Sequence, residues 1–193
     1  LNRIDEESRL NSLIIYFSAT GNTKKVANVI WETLKEERMK VNLLKVQDAA
    51  EEELYDYDLV FLGTPSYSFL PAKPIMDFIN NKMELHRKRG DIKLCAPKIP
   101  GKNAVVFCTY SGPHTGINEA IPAGKYMGQF FEHIGFEIAA EWYVVGEFHG
   151  SEENSTIGRL GNIKGRPNQQ DLATVRRDVR DLIMSITSRI GLK

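Results

Sequence analysis

The run from Leu13 to Ile30 constrains the fold more than any other stretch of this 193-residue chain. Leu13-Ile14-Ile15-Tyr16-Phe17 is apolar throughout, as a strand buried on both faces must be. Ser18-Ala19-Thr20-Gly21-Asn22-Thr23 follows at once, and Val26, Ala27 and Ile30 then fall on one face of a helix. A strand that turns through small hydroxyl residues into a helix builds an anion pocket. The first N–H groups of the helix lack intrahelical acceptors, and the helix dipole favours negative charge beside them. Ser18, Thr20 and Thr23 add hydroxyl donors, Asn22 adds an amide, and Gly21 lets a ligand approach the backbone closely. An ordinary capped helix needs one such residue, Thr20 or Asn22, and here there are four. Neither G-x-x-x-x-G-K-[ST] nor G-x-G-x-x-G is present. The expected ligand group is a phosphate monoester held by neutral donors, not a nucleoside triphosphate with magnesium.

Further along, apolar runs alternate with helical patterns. Val41–Val46, Asp58–Gly63, Ala104–Thr109 and Phe136–Val145 read as strands two to five. Helices are expected over about 22–38, 74–81, 117–134 and 168–189. The last opens on a capping signal, Asn168 with Asp171 three residues on. Buried strands alternating with helices imply an α/β fold: three layers, with a five-stranded parallel sheet covered on both faces by helices. Ligands in such folds bind beyond the carboxyl ends of the strands. Three loops should therefore meet, after strands one, three and four. One domain is expected over 1–193, with a polar arm at 1–12 and a long loop at 146–167.

Composition narrows the function. Lys plus Arg equals Asp plus Glu at 25 each, so a basic excess suited to nucleic acid is missing. No stretch reaches the ~18 apolar residues of a membrane span, and the charged start is not a signal peptide. Cys95 and Cys108 make neither a disulfide framework nor a CxxC, which suits a reducing cytoplasm.

Ser18 to Thr23 resembles the phosphate-binding loop of the flavodoxin family, T/S-x-T-G-x-T, at every fixed position. The resemblance implies a flavodoxin-like strand order, 2-1-3-4-5, and FMN as cofactor. It implies phosphate contacts from Ser18, Thr20, Gly21, Asn22 and Thr23. The loop after strand three then contacts the flavin through Pro65, Ser66, Tyr67 and Ser68, with Tyr67 free to lie on the ring. The loop after strand four contacts the pyrimidine edge through Thr109, Tyr110, Ser111 and Gly112. Phe69 reads better as loop packing. His114 reads better as a helix cap or a solvent-facing residue than as a proton donor or a charge partner for a reduced flavin.

Two departures from the electron-carrying members point toward paired electrons. The loops 64–71 and 109–116 hold no Asp or Glu, so an anionic reduced flavin meets less repulsion. No Gly follows Tyr67, where carriers use one to let a peptide flip. Both hint at an oxidoreductase that takes electrons from NAD(P)H and passes two to a quinone or other small acceptor. The alternatives are a carrier between protein redox partners and a fold relative that has lost its flavin. Glu147, His149 and Arg166, on the loop 146–167, are candidates to border an acceptor pocket, across a subunit boundary if the chain is a homo-oligomer. The functional reading of the basic segment 82–102 is a docking patch for an acidic redox partner, but it falls at the amino end of the sheet, far from the flavin, and reads better as a solvated or oligomer-contacting loop. No metal site and no catalytic acid or base is evident.

Overall fold

Five of the six strands lie parallel, because crossover connections, three of the four built on an α-helix, return the chain to the same end of the sheet before each strand. A computed structural model describes residues 10–191. The elements are β1 (Asn11–Tyr16), α1 (Asn22–Glu36), β2 (Lys40–Lys45), β3 (Leu59–Tyr67), β4 (Leu70–Pro71), α2 (Lys73–Arg89), β5 (Asn103–Tyr110), α3 (Ile121–His133), β6 (Glu137–Val145), α4 (Glu152–Thr156) and α5 (Gln169–Gly191). The parallel order is β2-β1-β3-β5-β6, and β4 pairs antiparallel with β3 alone. Counting only parallel strands, this is the expected order 2-1-3-4-5.

Successive residues of each central strand serve opposite cores, as the two-residue period requires. Ile14 and Tyr16, Leu59 and Phe61, and Val105 and Phe107 pack under α1 and α5. Leu13 and Ile15, Val60 and Leu62, and Ala104 and Val106 pack under α2 and α3. Gly63 is small for a steric reason: a Cβ there would stand 2.0 Å from Cζ of Phe107. Arg176 and Arg180 on α5 pair with Glu32 and Glu36 on α1 and with Glu37 just past its end, closing the seam between those helices.

Several boundaries differ from the sequence expectation. Residues 1–9 of the expected arm lie outside the described residues, while Asn11 and Ser12 already belong to β1. Strand β3 runs past Gly63 to Tyr67, because its end folds back on β4 as a hairpin. Helix α2 continues to Arg89, where Gly90 in the left-handed region (φ 76°) ends it. Its charges hid the helical period: Lys82 is buried and donates to the Ala50 carbonyl at 2.8 Å and the Glu52 carbonyl at 2.5 Å. Arg89, Lys98 and Lys102 in the same basic segment pair with Glu53, Glu132 and Asp58. Part of its charge is thus paired within the fold. A 3-10 turn, Gly116–Glu119, precedes α3. The loop 146–167 contains the short helix α4.

The cap of α5 has the expected form. Asn168 Oδ1 accepts from the N–H groups of Gln170 and Asp171, and Asp171 Oδ2 accepts from Asn168 N–H at 2.9 Å.

Candidate functional site

A cavity of about 340 Å³ opens beyond the carboxyl ends of β1, β3, β5 and β6. Its walls come from four loops. Ser18, Ala19, Thr20, Asn22 and Thr23 line one side, and Pro65, Ser66 and Tyr67 another. Thr109, Tyr110 and Ser111 form the floor, and residues 146–150 close the fourth side. Ten of the thirteen residues expected at the site line this space.

The other three shape it. Gly21 is the N-cap of α1, with φ 101°, and a Cβ there would meet nothing within 4 Å. Its surface is open to a ligand, and its backbone conformation suits glycine. Its N–H donates to Ser18 Oγ at 3.1 Å, which pins the loop. Asn22, Thr23 and Lys24 head the helix, so their N–H groups have no intrahelical acceptors. Gly112 has φ 53°, and a Cβ there would stand 2.5 Å from the Gly116 carbonyl oxygen. Only glycine allows that loop to fold so tightly. Ser68 sits at the hairpin turn, outside the cavity lining.

That turn is unusual. Tyr67 pairs with Leu70, leaving Ser68 and Phe69 as a two-residue loop with φ 48° and 71°. Positive φ at both positions defines a type I′ turn, which favours Asn or Gly at each. Neither residue here is one of those, so the turn is held by its surroundings. Thr64 anchors the hairpin base: its buried Oγ1 accepts from Ala72 N–H and donates to the Pro65 carbonyl, both at 2.9 Å. Ser66 Oγ donates to the Glu119 carbonyl at 2.5 Å. Tyr67 is left 45% exposed and lines the cavity.

Some donors named from sequence are already engaged. The Thr23 and Thr109 hydroxyls bond each other at 2.8 Å, both buried, and join helix α1 to the end of β5. Asn22 Nδ2 donates to the Glu147 carbonyl at 2.9 Å, tying the phosphate-loop helix to the fourth wall. Gly146 permits this approach, since a Cβ there would stand 2.7 Å from Asn22 Nδ2. The helix N–H groups and the hydroxyls of Ser18 and Thr20 are free to donate to an anion, and the Thr23–Thr109 pair and the Asn22 amide each keep one further hydrogen.

Electrostatics at the floor are mild. Burial raises the phenols of Tyr67 and Tyr110, with the nearby Arg166 charge acting against that at Tyr110. Burial pushes the Cys108 thiol up to about 12, so it is inert. Glu147 is the carboxylate in the lining, and its Oε2 accepts from Gly165 N–H at 2.8 Å. Arg166 is turned to Asp171, which takes Nε at 2.9 Å and the terminal nitrogen at 2.5 Å. Its backbone carbonyl accepts from Glu147 N–H. His149 reaches the cavity. His114 is exposed and outside the lining, and its N–H donates to Glu119 Oε1. Phe148 and Gly150 also reach the cavity, and sequence reasoning missed both. An aromatic residue framed by glycines, Gly146-Glu147-Phe148-His149-Gly150, is the signal that could have found them.

This arrangement, a neutral anion loop opening α1 at the switch point of a doubly wound sheet, defines a nucleotide-binding α/β protein. A family model described as a flavodoxin domain matches residues 13–190. The chain belongs to the flavodoxin family.

Among curated proteins, it is 27% identical over 168 residues to "NAD(P)H dehydrogenase (quinone)" of Archaeoglobus fulgidus, covering 72% of this chain and 83% of the relative. It is 29% identical over 121 residues to "Flavodoxin" of Clostridium beijerinckii, covering 63% of this chain and 73% of the relative. The solved structure of oxidised Flavodoxin 1 from Bacillus cereus superposes with a TM-score of 0.63 at 15% identity, covering 90% of this chain and 97% of that one. At that identity the superposition speaks for the fold alone.

Flavodoxins bind FMN, and FMN is the cofactor that membership assigns. The residues present fit it. The donors at the head of α1 are neutral and suit a phosphate monoester. Gly21 offers open space above the loop. Tyr67 offers an aromatic face for a flat ring. Among the described residues no helix is long and apolar enough to cross a membrane, and no cluster of metal-ligating side chains occurs.

Proposed function

We propose that this flavoprotein is an NAD(P)H-dependent oxidoreductase that passes two electrons to a quinone or another small acceptor. Bound FMN supplies the redox chemistry. The chain's own residues hold and insulate it. Ser18, Thr20 and the first N–H groups of α1 take the phosphate. Tyr67 covers a ring face, and the loop at Thr109–Gly112 offers backbone and hydroxyl groups to the ring edge.

The observation that carries the two-electron reading is the turn after Tyr67. Flipping the Ser68–Phe69 peptide converts type I′ into type II′. That places Ser68 near φ of about +60° and ψ of about −120°, a region reserved for glycine. The turn therefore offers the ring one fixed peptide orientation. A carrier that stops at one electron benefits from a second. The Archaeoglobus relative's name supports the same reading.

The second reading is a carrier between redox proteins. It draws on the Clostridium flavodoxin and on the exposed rim of Tyr67, Phe69 and Leu70, a surface suited to transient docking. Anaerobic mixing of the FMN-loaded protein with NADH and then NADPH separates the two. Direct bleaching of the flavin supports the oxidoreductase. A flavin that stays yellow with both nucleotides, yet bleaches with a reductase protein, supports the carrier.

A further inference from the structure

The fourth wall carries a feature that phosphate and ring contacts elsewhere do not explain. Phe148 is 40% exposed at the cavity, although an aromatic side chain gains most by burial. Its backbone is far from loose. Phe148 N–H donates to Ser155 Oγ at 3.0 Å, and Ser155 Oγ donates in turn to the Phe148 carbonyl at 3.0 Å. Ser155 lies on α4 and is 1% exposed, so one buried hydroxyl closes both backbone groups of one residue.

The residue before it is equally fixed. Glu147 N–H donates to the Arg166 carbonyl, and the Glu147 carbonyl accepts from Asn22 Nδ2. The ring itself is placed by Gly150. A Cβ at that position would stand 3.0 Å from Cε1 and 3.1 Å from Cζ of Phe148. The ring edge thus lies against bare glycine backbone. Three separate devices hold an exposed aromatic still, which lowers the ordering cost of a contact made there.

We propose that Phe148 is a preset stacking wall for a planar aromatic ring, with Ser155 and Gly150 as its positioning residues. The ring is either that of FMN or that of a flat acceptor bound beside it. The proposal rests on the functional reading above for its probes.

The test uses the apo-protein titrated with FMN by fluorescence quenching, and the FMN-loaded protein assayed with menadione as a bare naphthoquinone. Phe148→Leu keeps an apolar side chain but no aromatic face, and roughly tenfold weaker binding is expected for the ring it stacks on. Phe148→Trp restores a flat face and should return most of that loss. Gly150→Ala moves the ring, and Ser155→Ala frees its backbone, so both should act in the direction of Phe148→Leu. Circular dichroism on each variant checks the fold.

A raised Kd for FMN assigns the wall to the cofactor. An unchanged Kd with a raised KM for menadione, at constant kcat, assigns it to the acceptor. Wild-type affinity for both in Phe148→Leu and Gly150→Ala would overturn the stacking role while leaving the functional reading intact. Failure of the wild-type chain to bind FMN at all would sink both.

Discussion

Gly146→Ala tests how the fourth wall is coupled to the phosphate loop. The Gly146 backbone is not left-handed, so alanine brings no φ strain. Its Cβ would instead stand 2.7 Å from Asn22 Nδ2 and 3.1 Å from Asn22 Cγ. The amide must move, and its 2.9 Å bond to the Glu147 carbonyl must break or stretch. Overpacking of this kind costs about 1–3 kcal/mol. Asn22→Ala alone loses the same bond and leaves the Glu147 carbonyl short of a donor, worth about 1–2 kcal/mol. In the double variant the amide that clashed is gone. Only the residue 22 Cβ remains, 3.2 Å away, a contact that relaxes with small shifts. The double variant should therefore be little less stable than Asn22→Ala. Urea unfolding of the four apo-proteins gives the cycle, with a coupling of about 1 kcal/mol or more expected. Additive losses, agreeing within about 0.5 kcal/mol, would refute the contact as the cause.

Three further outcomes follow from the same geometry. Ser68→Gly relieves a left-handed non-glycine residue and should stabilise the apo-protein by about 1 kcal/mol in urea unfolding, and it should also let one-electron-reduced flavin accumulate on photoreduction. At Asp171, burial acts to raise the carboxyl, but the Arg166 hydrogen bonds, the Asn168 N–H and the Arg166 charge together hold it below its ordinary value. A depressed carboxyl contributes stability above its unfolded pKa of about 3.9 and loses it as pH falls through the folded value, so Asp171→Asn should destabilise at pH 7 by about 2 kcal/mol and flatten the acid limb of the urea midpoint against pH. Thr23→Val strips the buried Thr109 hydroxyl of its partner and should cost about 1–3 kcal/mol, whereas Thr23→Val with Thr109→Val should recover much of that loss in thermal unfolding.

The strands were legible because each central one is a short apolar run bounded by turn residues, and their order came with the family resemblance. The strand–loop–helix at Ser18–Thr23, which lines the cavity, was legible because its hydroxyls and glycine stand in an order that packing alone does not demand. The cap of α5 was readable from residue types and spacing alone, since the Asn168 and Asp171 side chains each accept from the other's backbone N–H. The boundaries that moved did so where tertiary partners outweigh local pattern. Lys82 looks like a loop cation, but two carbonyls far along the chain make it a buried helix residue. Strand β3 continues past Gly63 through Thr64-Pro65-Ser66, residues that resemble a turn, because Thr64 bonds Ala72 across the hairpin. Donor assignments inside the cavity were the least readable. Asn22, Thr23 and Thr109 spend their side chains on each other or on the fourth wall, and only coordinates reveal such pairing. Phe148 escaped because its exposure depends on Ser155 and Gly150, neither of which marks a ligand contact alone.

A potentiometric titration of the FMN-loaded protein, followed in the visible spectrum under anaerobic conditions, tests the paired-electron claim most directly. One reduction wave is expected, with a slope of about 30 mV per tenfold change in the oxidised-to-reduced ratio, as two electrons require. Two separated waves of about 59 mV each, with a long-wavelength species between them, would contradict it and identify the chain as a one-electron carrier.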